Sequence, residues 1–233
     1  WMNDYVDVPN FDGTNYITIP YSPQLNTPQF TVSVWAYPTG GSGGYRSIVT
    51  SRDSDPIASG YIIYINPDDY VHFWIGSAAT WKTCTSPNVI TLNKWLHITI
   101  VYYDSIMILY ENGVEVKRAT HTITLNTTKS LRIGVGNTPP SQNFYYQGSL
   151  YDFRYYDRAL STTDIGKIYT HSEMLGDEVL HLPFSDKSNI TQVLSNFEEA
   201  KMTTFDGTNH LDIPYTPALN TPEFTIAVWV YPT

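Results

Sequence analysis

A 29-residue stretch of this chain occurs twice, and the repetition limits what the chain can fold into. Residues 11–39 read FDGTNYITIPYSPQLNTPQFTVSVWAYPT, and residues 205–233 read FDGTNHLDIPYTPALNTPEFTIAVWVYPT. The two copies are identical at 20 of 29 positions and are separated by 205 − 11 = 194 residues. Similarity at a fixed period indicates tandem copies of one domain type. The chain is therefore expected to hold one nearly whole domain and the opening of a second.

The repeat also suggests where the domains begin and end. We predict a linker or divergent strand at 1–10, the first domain at 11–177, and the N-terminal part of a truncated second copy at 178–233. The strand-like segment EVLHLPF at 178–184 has no counterpart before the first copy. It either opens the second copy or lies against the first domain, since the chain ends of sandwich domains often lie close together.

Composition excludes several classes of protein. The net charge is −9 and only 15% of residues are charged, so no basic stripe is available to neutralise nucleic-acid phosphates. The single cysteine, Cys84, cannot form an intramolecular disulfide. No apolar run approaches the roughly 20 residues of a membrane helix. We expect a folded domain with no nucleic-acid partner and no membrane insertion.

The pattern between the two copies is that of short strands separated by turns. Strands are predicted at 15–20, 30–38, 46–51, 61–66, 71–76, 81–85, 96–103, 106–111, 114–118, 131–136 and 148–156. Asn112-Gly113 is the clearest hairpin turn, because both residues tolerate a positive φ. A single helix is predicted at 161–171, where Ser161 can cap the first turn. This pattern predicts an all-β protein, a two-sheet antiparallel β-sandwich with one short helix.

Six segments then occur in an order that indicates a family. They are FDGTNYITIP, FTVSVWAYP, NKWLHITIVY, LYENGVEV, LRIGVGN and GSLYDFRYYDRALSTTDIGKIY. In this order the chain resembles the laminin-G-like jelly rolls of the concanavalin A-like lectin and glucanase superfamily. The resemblance implies two curved antiparallel sheets of about six or seven strands each. It also implies roles from sugar binding to cell adhesion, with glycoside hydrolysis in some branches, and the fold alone does not choose among them.

An enzymatic role is not predicted. Glucanases of the superfamily carry two glutamates and an aspartate on one strand, because hydrolysis needs one carboxylic acid to protonate the leaving oxygen and a second to attack or to activate water. No predicted strand of the first domain presents Glu-x-Asp-x-Glu. Glu111 and Glu115 flank the Asn112-Gly113 turn and are expected to face solvent.

Three predicted strands have one aliphatic face and one face rich in Trp, His, Tyr and Thr. If these strands share a sheet, Trp35, His72, Trp74 and His97 gather on its outer side. Aromatic rings beside hydroxyl and imidazole groups suit a sugar. The alternative is that the side chains form cross-strand ladders or are covered by loops. The candidate glycan-binding residues are Trp35, His72, Trp74, Trp81, His97, Tyr145 and Tyr146.

One structural calcium ion is a further prediction, and it comes from the resemblance. Asp152, in LYDFRYYDRAL, matches the family position that helps to bind an ion. Asp12 and Gly13, in FDGTN, could add a carboxylate or a carbonyl oxygen, which are the ligands that calcium prefers. The alternative is that the Asp-Gly pair only forms a turn.

The sequence favours a non-catalytic repeat of an extracellular, cell-surface or particle-surface protein that acts in adhesion or glycan binding. Its expected partners are a glycan or cell-surface molecule and neighbouring repeats or head-to-tail copies of the chain. A purely structural repeat that assembles into a filament or surface layer is the alternative, and an unusual glycoside hydrolase is the third possibility. The sequence identifies neither the glycan nor the number of repeats.

Overall fold

The computed structural model describes residues 10–41, 43–53, 57–78, 80–136, 144–171 and 175–184, which form a β-sandwich. Its strands are β1 (Asn10–Asp12), β2 (Ile17–Ile19), β3 (Phe30–Pro38), β4 (Arg46–Asp53), β5 (Ser59–Ile65), β6 (Tyr70–Ser77), β7 (Thr80–Val89), β8 (Leu96–Tyr103), β9 (Ile106–Glu111), β10 (Val114–Thr120), β11 (Leu131–Ile133), β12 (Gln147–Tyr156) and β13 (Leu180–Leu182). A single 3₁₀ turn spans Pro23–Leu25, and the helix α1 spans Thr162–Thr170.

The strands form two antiparallel sheets, which confirms the predicted fold class. Sheet A runs β1-β12-β3-β8-β9-β10, with β13 beside β12. Sheet B runs β2-β11-β4-β5-β6-β7. Strands that are distant in sequence lie side by side in both sheets, as a jelly-roll topology requires.

The core lies between the sheets and consists of the aliphatic faces that the alternation predicts. Val32, Val34, Ile98 and Ile100 are buried in this core, which confirms their predicted positions. Val34 lies opposite Ile98 in the β3–β8 register. Sheet B contributes residues such as Phe73, so the inner faces of both sheets fill the space between them.

Local turn chemistry explains the sharp hairpins. Asn112 and Gly113 have φ values of 48° and 78° between β9 and β10, so the predicted turn is confirmed. Both residues adopt the left-handed conformation, which asparagine and glycine accept more readily than other residues. A Cβ at Gly113 would lie 2.9 Å from the Tyr169 ring, so this turn also packs closely against α1.

The predicted helix is confirmed at 162–170, with Ser161 as its cap. The Ser161 side chain accepts a hydrogen bond from the Asp164 backbone N–H. Ile165 and Ile168 are buried in a small second cluster that includes Val101 and Tyr156. Since these two sheet residues lie on β8 and β12, α1 covers the outer face of sheet A.

The outer face of β3 is also buried, although it is polar. Thr31 is 0% exposed; its hydroxyl donates to the Arg158 carbonyl at 2.8 Å and accepts from the Leu160 N–H at 3.0 Å. Truncating Thr31 would leave buried polar groups unpaired. Alternation alone would place this threonine at the surface, but the chain around α1 covers it.

The segment that follows α1 belongs with the first domain. β13 pairs with β12, with Leu182 opposite Phe153. Leu180, Leu182 and Phe184 enter the core between the sheets. Of the two alternatives for 178–184, packing against the first domain is the one observed. The second copy of the repeat, at 205–233, and residues 1–9 lie outside the described residues.

The burial of β3 predicts a cost for removing a core methyl group. Val34→Ala should lower the free energy of unfolding by about 1–3 kcal/mol, because it removes buried apolar area and leaves a cavity. Val114 on β10 is 64% exposed, so Val114→Ala is a matched control that should change stability by less than about 0.5 kcal/mol. Urea unfolding of both variants measures the difference. Equal effects would show that the faces are assigned wrongly.

The packing of β13 predicts that it contributes to the stability of the first domain. Leu182 is 2% exposed, so Leu182→Ala should destabilise the first sandwich by about 2–4 kcal/mol. Thermal unfolding followed by near-ultraviolet circular dichroism measures this loss. A variant that melts at the wild-type temperature would show that β13 is dispensable to the first domain.

Candidate functional site

The predicted glycan-binding residues lie on two different faces of the sandwich. Trp35 and His97 are on β3 and β8 of sheet A, whereas His72 and Trp74 are on β6 of sheet B. The condition that these strands share one sheet is therefore not met. All four side chains point away from the core between the sheets, so the two pairs are on opposite sides of the molecule.

The sheet A pair is covered by α1 and the residue after it. His97 is 1% exposed, and its Nε2 lies 2.8 Å from the Ser33 hydroxyl. The Trp35 ring stacks on Tyr169 at 5.5 Å and on His171 at 6.1 Å, measured between ring centroids. These contacts favour the structural alternative for Trp35 and His97, which is a ladder covered by other elements.

The two neighbouring tyrosines have different positions. Tyr146 is 0% exposed and packs in the core against Phe11, so it does not form part of an accessible surface. Burial raises the pKa of Tyr146 well above its ordinary value. Tyr145 is half-buried, and its ring lies 6.3 Å from that of Tyr16. Only Tyr145 of this pair remains a candidate for ligand contact.

The outer face of sheet B carries a continuous row of aromatic rings, which we call the aromatic strip. Consecutive ring centroids are 5.4–6.5 Å apart along this row, within the range of favourable aromatic contacts. Tyr64 is buried at its centre, and the other four rings are half-buried. The strip consists of Tyr45, Phe144, Tyr64, Trp74 and Trp81.

Strand register explains why these side chains meet. Trp74 lies opposite Ile62 on β5 and Thr83 on β7, and Tyr64 lies opposite His72. Residues at alternate positions of paired strands share one face of a sheet. The predicted residues His72, Trp74 and Trp81 are therefore on the same face, and Trp81 lies on β7 rather than in a loop.

Hydrogen bonds fix the orientation of Trp74. The Trp74 Nε1–H donates to Nδ1 of His72 at 3.0 Å. Because an indole nitrogen can only donate, this His72 nitrogen is the acceptor and the neutral ring carries its proton on Nε2. Burial lowers the pKa of His72, which favours the same neutral form. The hydroxyls of Thr83 and Thr85 lie 3.2 Å from the same nitrogen.

Arginines flank the aromatic strip. The Arg52 guanidinium lies 5.1 Å from the centroid of the Trp81 ring, and its Nη1 donates to the Tyr64 hydroxyl at 3.2 Å. Arg132 on β11 lies opposite Thr50 on β4. Burial raises the pKa of Tyr64 against the opposing effect of both arginines. The strip therefore combines apolar rings, hydroxyls and positive charge.

Seven of these residues are absent from the candidates that the sequence suggests. They are Arg52, Arg132, Tyr64, Tyr45, Phe144, Thr83 and Thr85. The alternation of β4 and β5 places Thr50, Arg52, Ile62 and Tyr64 outward, so this pattern could have identified Arg52 and Tyr64. Tyr45 and Phe144 lie in connections outside these strands. Their contacts with Tyr64 depend on the path of the chain, and no local sequence pattern reveals that path.

The surroundings of Asp152 do not fit a calcium ion. Its Oδ1 accepts hydrogen bonds from Arg154 Nε at 2.9 Å and His181 Nε2 at 2.7 Å, and its Oδ2 lies 3.2 Å from His171 Nε2. Burial opposes ionisation, but the His181 hydrogen bond and the Arg154 charge outweigh it and lower the pKa of Asp152. Calcium requires oxygen ligands, whereas these neighbours are nitrogen donors, one of them permanently positive.

Asp12 and Gly13 form a turn that is satisfied internally. Asp12 Oδ1 accepts from the backbone N–H and the hydroxyl of Thr14 at 2.8 and 2.7 Å, and Gly13 has a φ of 88°. The Thr14 hydroxyl lowers the pKa of Asp12. Asp12 pairs with Gln147 on β12, five positions and about 16 Å along the strand from Asp152. The described residues contain no group of three or more His, Cys, Asp or Glu that could hold a metal.

The two glutamates beside the Asn112-Gly113 turn have structural partners. Glu111 is 7% exposed and accepts a hydrogen bond from the Asn88 amide at 2.8 Å, so the expectation that it faces solvent is wrong. Glu115 is exposed, as expected, and forms a two-point hydrogen bond with Arg118.

The burial of His97 predicts a pH dependence of stability. Burial lowers the pKa of His97 from 6.5 to about 3, so the unfolded chain binds a proton that the native state excludes. Stability is therefore lost as the pH falls below 6.5, by about 2 kcal/mol between pH 7 and pH 5 from this group. His97→Gln should remove this part of the pH dependence in urea unfolding, whereas His121→Gln on the loop after β10 should keep it. Parallel curves for wild type and His97→Gln would contradict the assignment.

Similarity to solved structures agrees with this architecture. A native heptameric SAP-like pentraxin from Limulus polyphemus is 18% identical, with 75% of this chain and 90% of the pentraxin chain covered and a TM-score of 0.52. Domain 4 of an extracellular GH43 arabinanase from Geobacillus stearothermophilus, in complex with arabinotriose, is 19% identical over 69% of this chain and 75% of that chain, with a TM-score of 0.55. At this level of identity the similarity shows the fold alone.

A binding domain of botulinum neurotoxin DC, in complex with SialylT, is a third similar structure. It is 16% identical over 68% of this chain and 39% of the neurotoxin chain, with a TM-score of 0.54. Comparison with curated proteins gives no significant sequence match. In the part of the chain that the structure describes, no helix has the length and apolar character that a membrane span requires.

The family itself is shown by the sequence model that matches residues 11–166, which cover β2 to most of α1. That model describes the concanavalin A-like lectin/glucanases superfamily. The match contains both sheets and the DFRYYDRAL segment on which the resemblance depends. This chain belongs to the Laminin_G_3 family of the concanavalin A-like lectin/glucanases superfamily.

Proposed function

We propose that this domain is a non-catalytic glycan-binding module of a surface or extracellular protein, and that the aromatic strip on sheet B is its binding surface. The observation that carries the proposal is the partly exposed, fixed position of the Trp74 ring. Its ring is half-buried, is held by His72 and lies between Tyr64 and Trp81. A ring held in this way can stack on the C–H face of a sugar with little further loss of side-chain entropy.

The rest of the surface around Trp74 suits the hydroxyl groups of a sugar. Thr83 is exposed and Thr85 is half-buried, and their hydroxyls lie 3.1 Å apart beside His72. Hydroxyls both donate and accept, so they can pair with sugar hydroxyls in either direction. A small number of polar groups beside apolar rings is the usual composition of a ligand site.

The proteins of similar fold support this proposal without establishing it. The arabinanase domain is described in complex with arabinotriose, and the neurotoxin binding domain in complex with SialylT. Another similar structure is of botulinum neurotoxin type C, whose cell entry is described as dependent upon interaction with two ganglioside molecules. The arabinanase is described as extracellular, which supports an extracellular or cell-surface location for the present domain.

Removal of the Trp74 ring should abolish the stacking contact. Screening the full chain on a glycan array should identify bound sugars. Trp74→Ala should weaken their binding by at least about tenfold, because loss of a central aromatic contact often costs about 2 kcal/mol. Titration calorimetry with the best array ligand measures the change. Circular dichroism checks that the variant retains its sheets.

Trp95→Ala is the matched control for this experiment. Trp95 is also half-buried but packs against Tyr37 and Tyr151 of sheet A, on the opposite side of the molecule. Its truncation should leave glycan affinity within about twofold of wild type. Equal losses in the two variants would remove the strip as the binding surface. Release of reducing sugars from mixed polysaccharides would instead support the unusual glycoside hydrolase.

A structural repeat is the second candidate function, and the position of β13 favours it. The segment that leads toward the second copy is paired with β12 through Leu180–Leu182. Head-to-tail assembly of the whole chain into a filament or layer would use such attachments, since a repeated non-closing contact gives filaments. Sedimentation of the full chain tests this. Self-association with no glycan bound on the array would favour the structural role.

A further inference from the structure

The strand positions on the outer face of sheet B differ in charge from the whole chain, whereas Asp68, in the turn before β6, places one negative charge close enough to act on His72. The net charge of the chain is −9. The described strand positions that point outward from this face include Arg52 and Arg132 and no Asp or Glu.

The two arginines are neighbours on this face. Arg132 on β11 lies opposite Thr50, and Arg52 is two positions further along β4. Such diagonal neighbours on one face have Cα atoms about 7–8 Å apart, which long side chains can bridge. Arg132 is only 2% exposed, whereas Arg52 is half-buried and reachable from solvent.

Two like charges at this distance create a local preference for an anion. Burial lowers the pKa of Arg132, and the charge of Arg52 lowers it further. Arginine stays protonated in proteins, so both positive charges persist and repel each other. Electrostatic interactions are stronger in partly buried surroundings than in water, so a negative group beside the pair would gain free energy from both charges.

The Arg52 guanidinium is held in a defined orientation beside the aromatic strip. It lies over Trp81 and donates to the Tyr64 hydroxyl. That hydrogen bond uses one of the five N–H donors of a guanidinium, and the Nε–H of Arg52 is buried, so a ligand would be contacted through the remaining Nη donors. A guanidinium is planar and matches the two oxygens of a carboxylate better than an ammonium does.

We infer that the strip prefers sugars that carry a carboxylate, with Arg52 contacting that group and Arg132 supplying positive charge beneath it. The inference rests on the proposed function, because the sugar ring would stack on Trp74 while its carboxylate reaches Arg52. Uronic acids and sialic acids both supply this chemistry, since each has a carboxylate on a sugar ring. The two sources are separated by the test.

The test compares sugars that differ only in the charged group. Titration calorimetry of the full chain would use oligogalacturonate against its methyl ester, and sialyllactose against the methyl ester of its sialic acid carboxylate. In at least one pair the acidic sugar should bind about tenfold more tightly than the neutral one, because hydrogen bonds to charged groups are among the stronger ones. The pair that shows the preference identifies the source of the carboxylate.

Substitutions then assign the preference to Arg52. Arg52→Gln should bring the affinity for the acidic sugar down to that for its neutral partner, and the ratio of the two affinities is the readout because Arg52 also contacts Trp81 of the strip. Arg118→Gln, an exposed arginine on β10 of sheet A, is the matched control and should keep the full preference. If Arg52→Gln does not fold, Arg52→Lys should still lower the preference at least about threefold, because lysine lacks the planar fork.

The outcomes separate this inference from the proposed function. Equal binding of acidic and neutral sugars, both lost in Trp74→Ala, would overturn the carboxylate preference and leave the glycan-binding proposal standing. A preference that Arg52→Gln and Arg52→Lys both leave unchanged would also overturn it. Binding of none of the sugars on the array or in these pairs would overturn both.

Discussion

The burial of the part of sheet A beneath α1 on both faces is the constraint on which the rest of this structure depends. Its inner face packs against sheet B, and its outer face is covered by α1 and the chain around it. Polar side chains on the covered face gain from partners inside the protein, because an unpaired buried polar group costs about 1–3 kcal/mol. Ser33 contacts His97, and Thr31 bonds to the chain before α1. Trp35 and His97 therefore belong to the architecture of this face.

A β-bulge in β12, which lies between β3 and the short strands β1 and β13, places further polar side chains beside one another. The register with β3 shifts between Tyr151 and Arg154, and Asp152 has a φ of 52°. The extra residue keeps Phe153 in the core and turns Asp152 outward beside Arg154. Asp152 and Arg154 then receive His181 and Glu178 from the segment around β13. Salt bridges outside the core and leucines inside it thus attach this segment to the first domain.

Local sequence pattern was sufficient to predict the fold, because strand alternation, the Asn112-Gly113 turn and the Ser161 cap all act over a few residues. The site was predicted only in part. Alternation assigned His72 and Trp74 to an outward face, but it could not assign β3, β8 and β6 to particular sheets. That assignment depends on the pairing of strands distant in the sequence, such as β3 with β12. The wrong assignment of Tyr146 to the surface has the same cause, since its burial depends on contact with Phe11, 135 positions earlier (146 − 11).

The two outer faces of the sandwich differ in whether their aromatic rings are accessible to a ligand. On sheet A, rings from α1 occupy the outer side of Trp35, so a sugar could stack there only if the helix moved. On sheet B, Trp74 and Trp81 are held by each other, by His72 and by Arg52 while both rings stay partly exposed. Neighbours that fix a ring without covering it reduce the entropy lost on binding. The proposed binding surface is therefore on the face that no described helix covers, where the only strand charges among the described outward positions are positive.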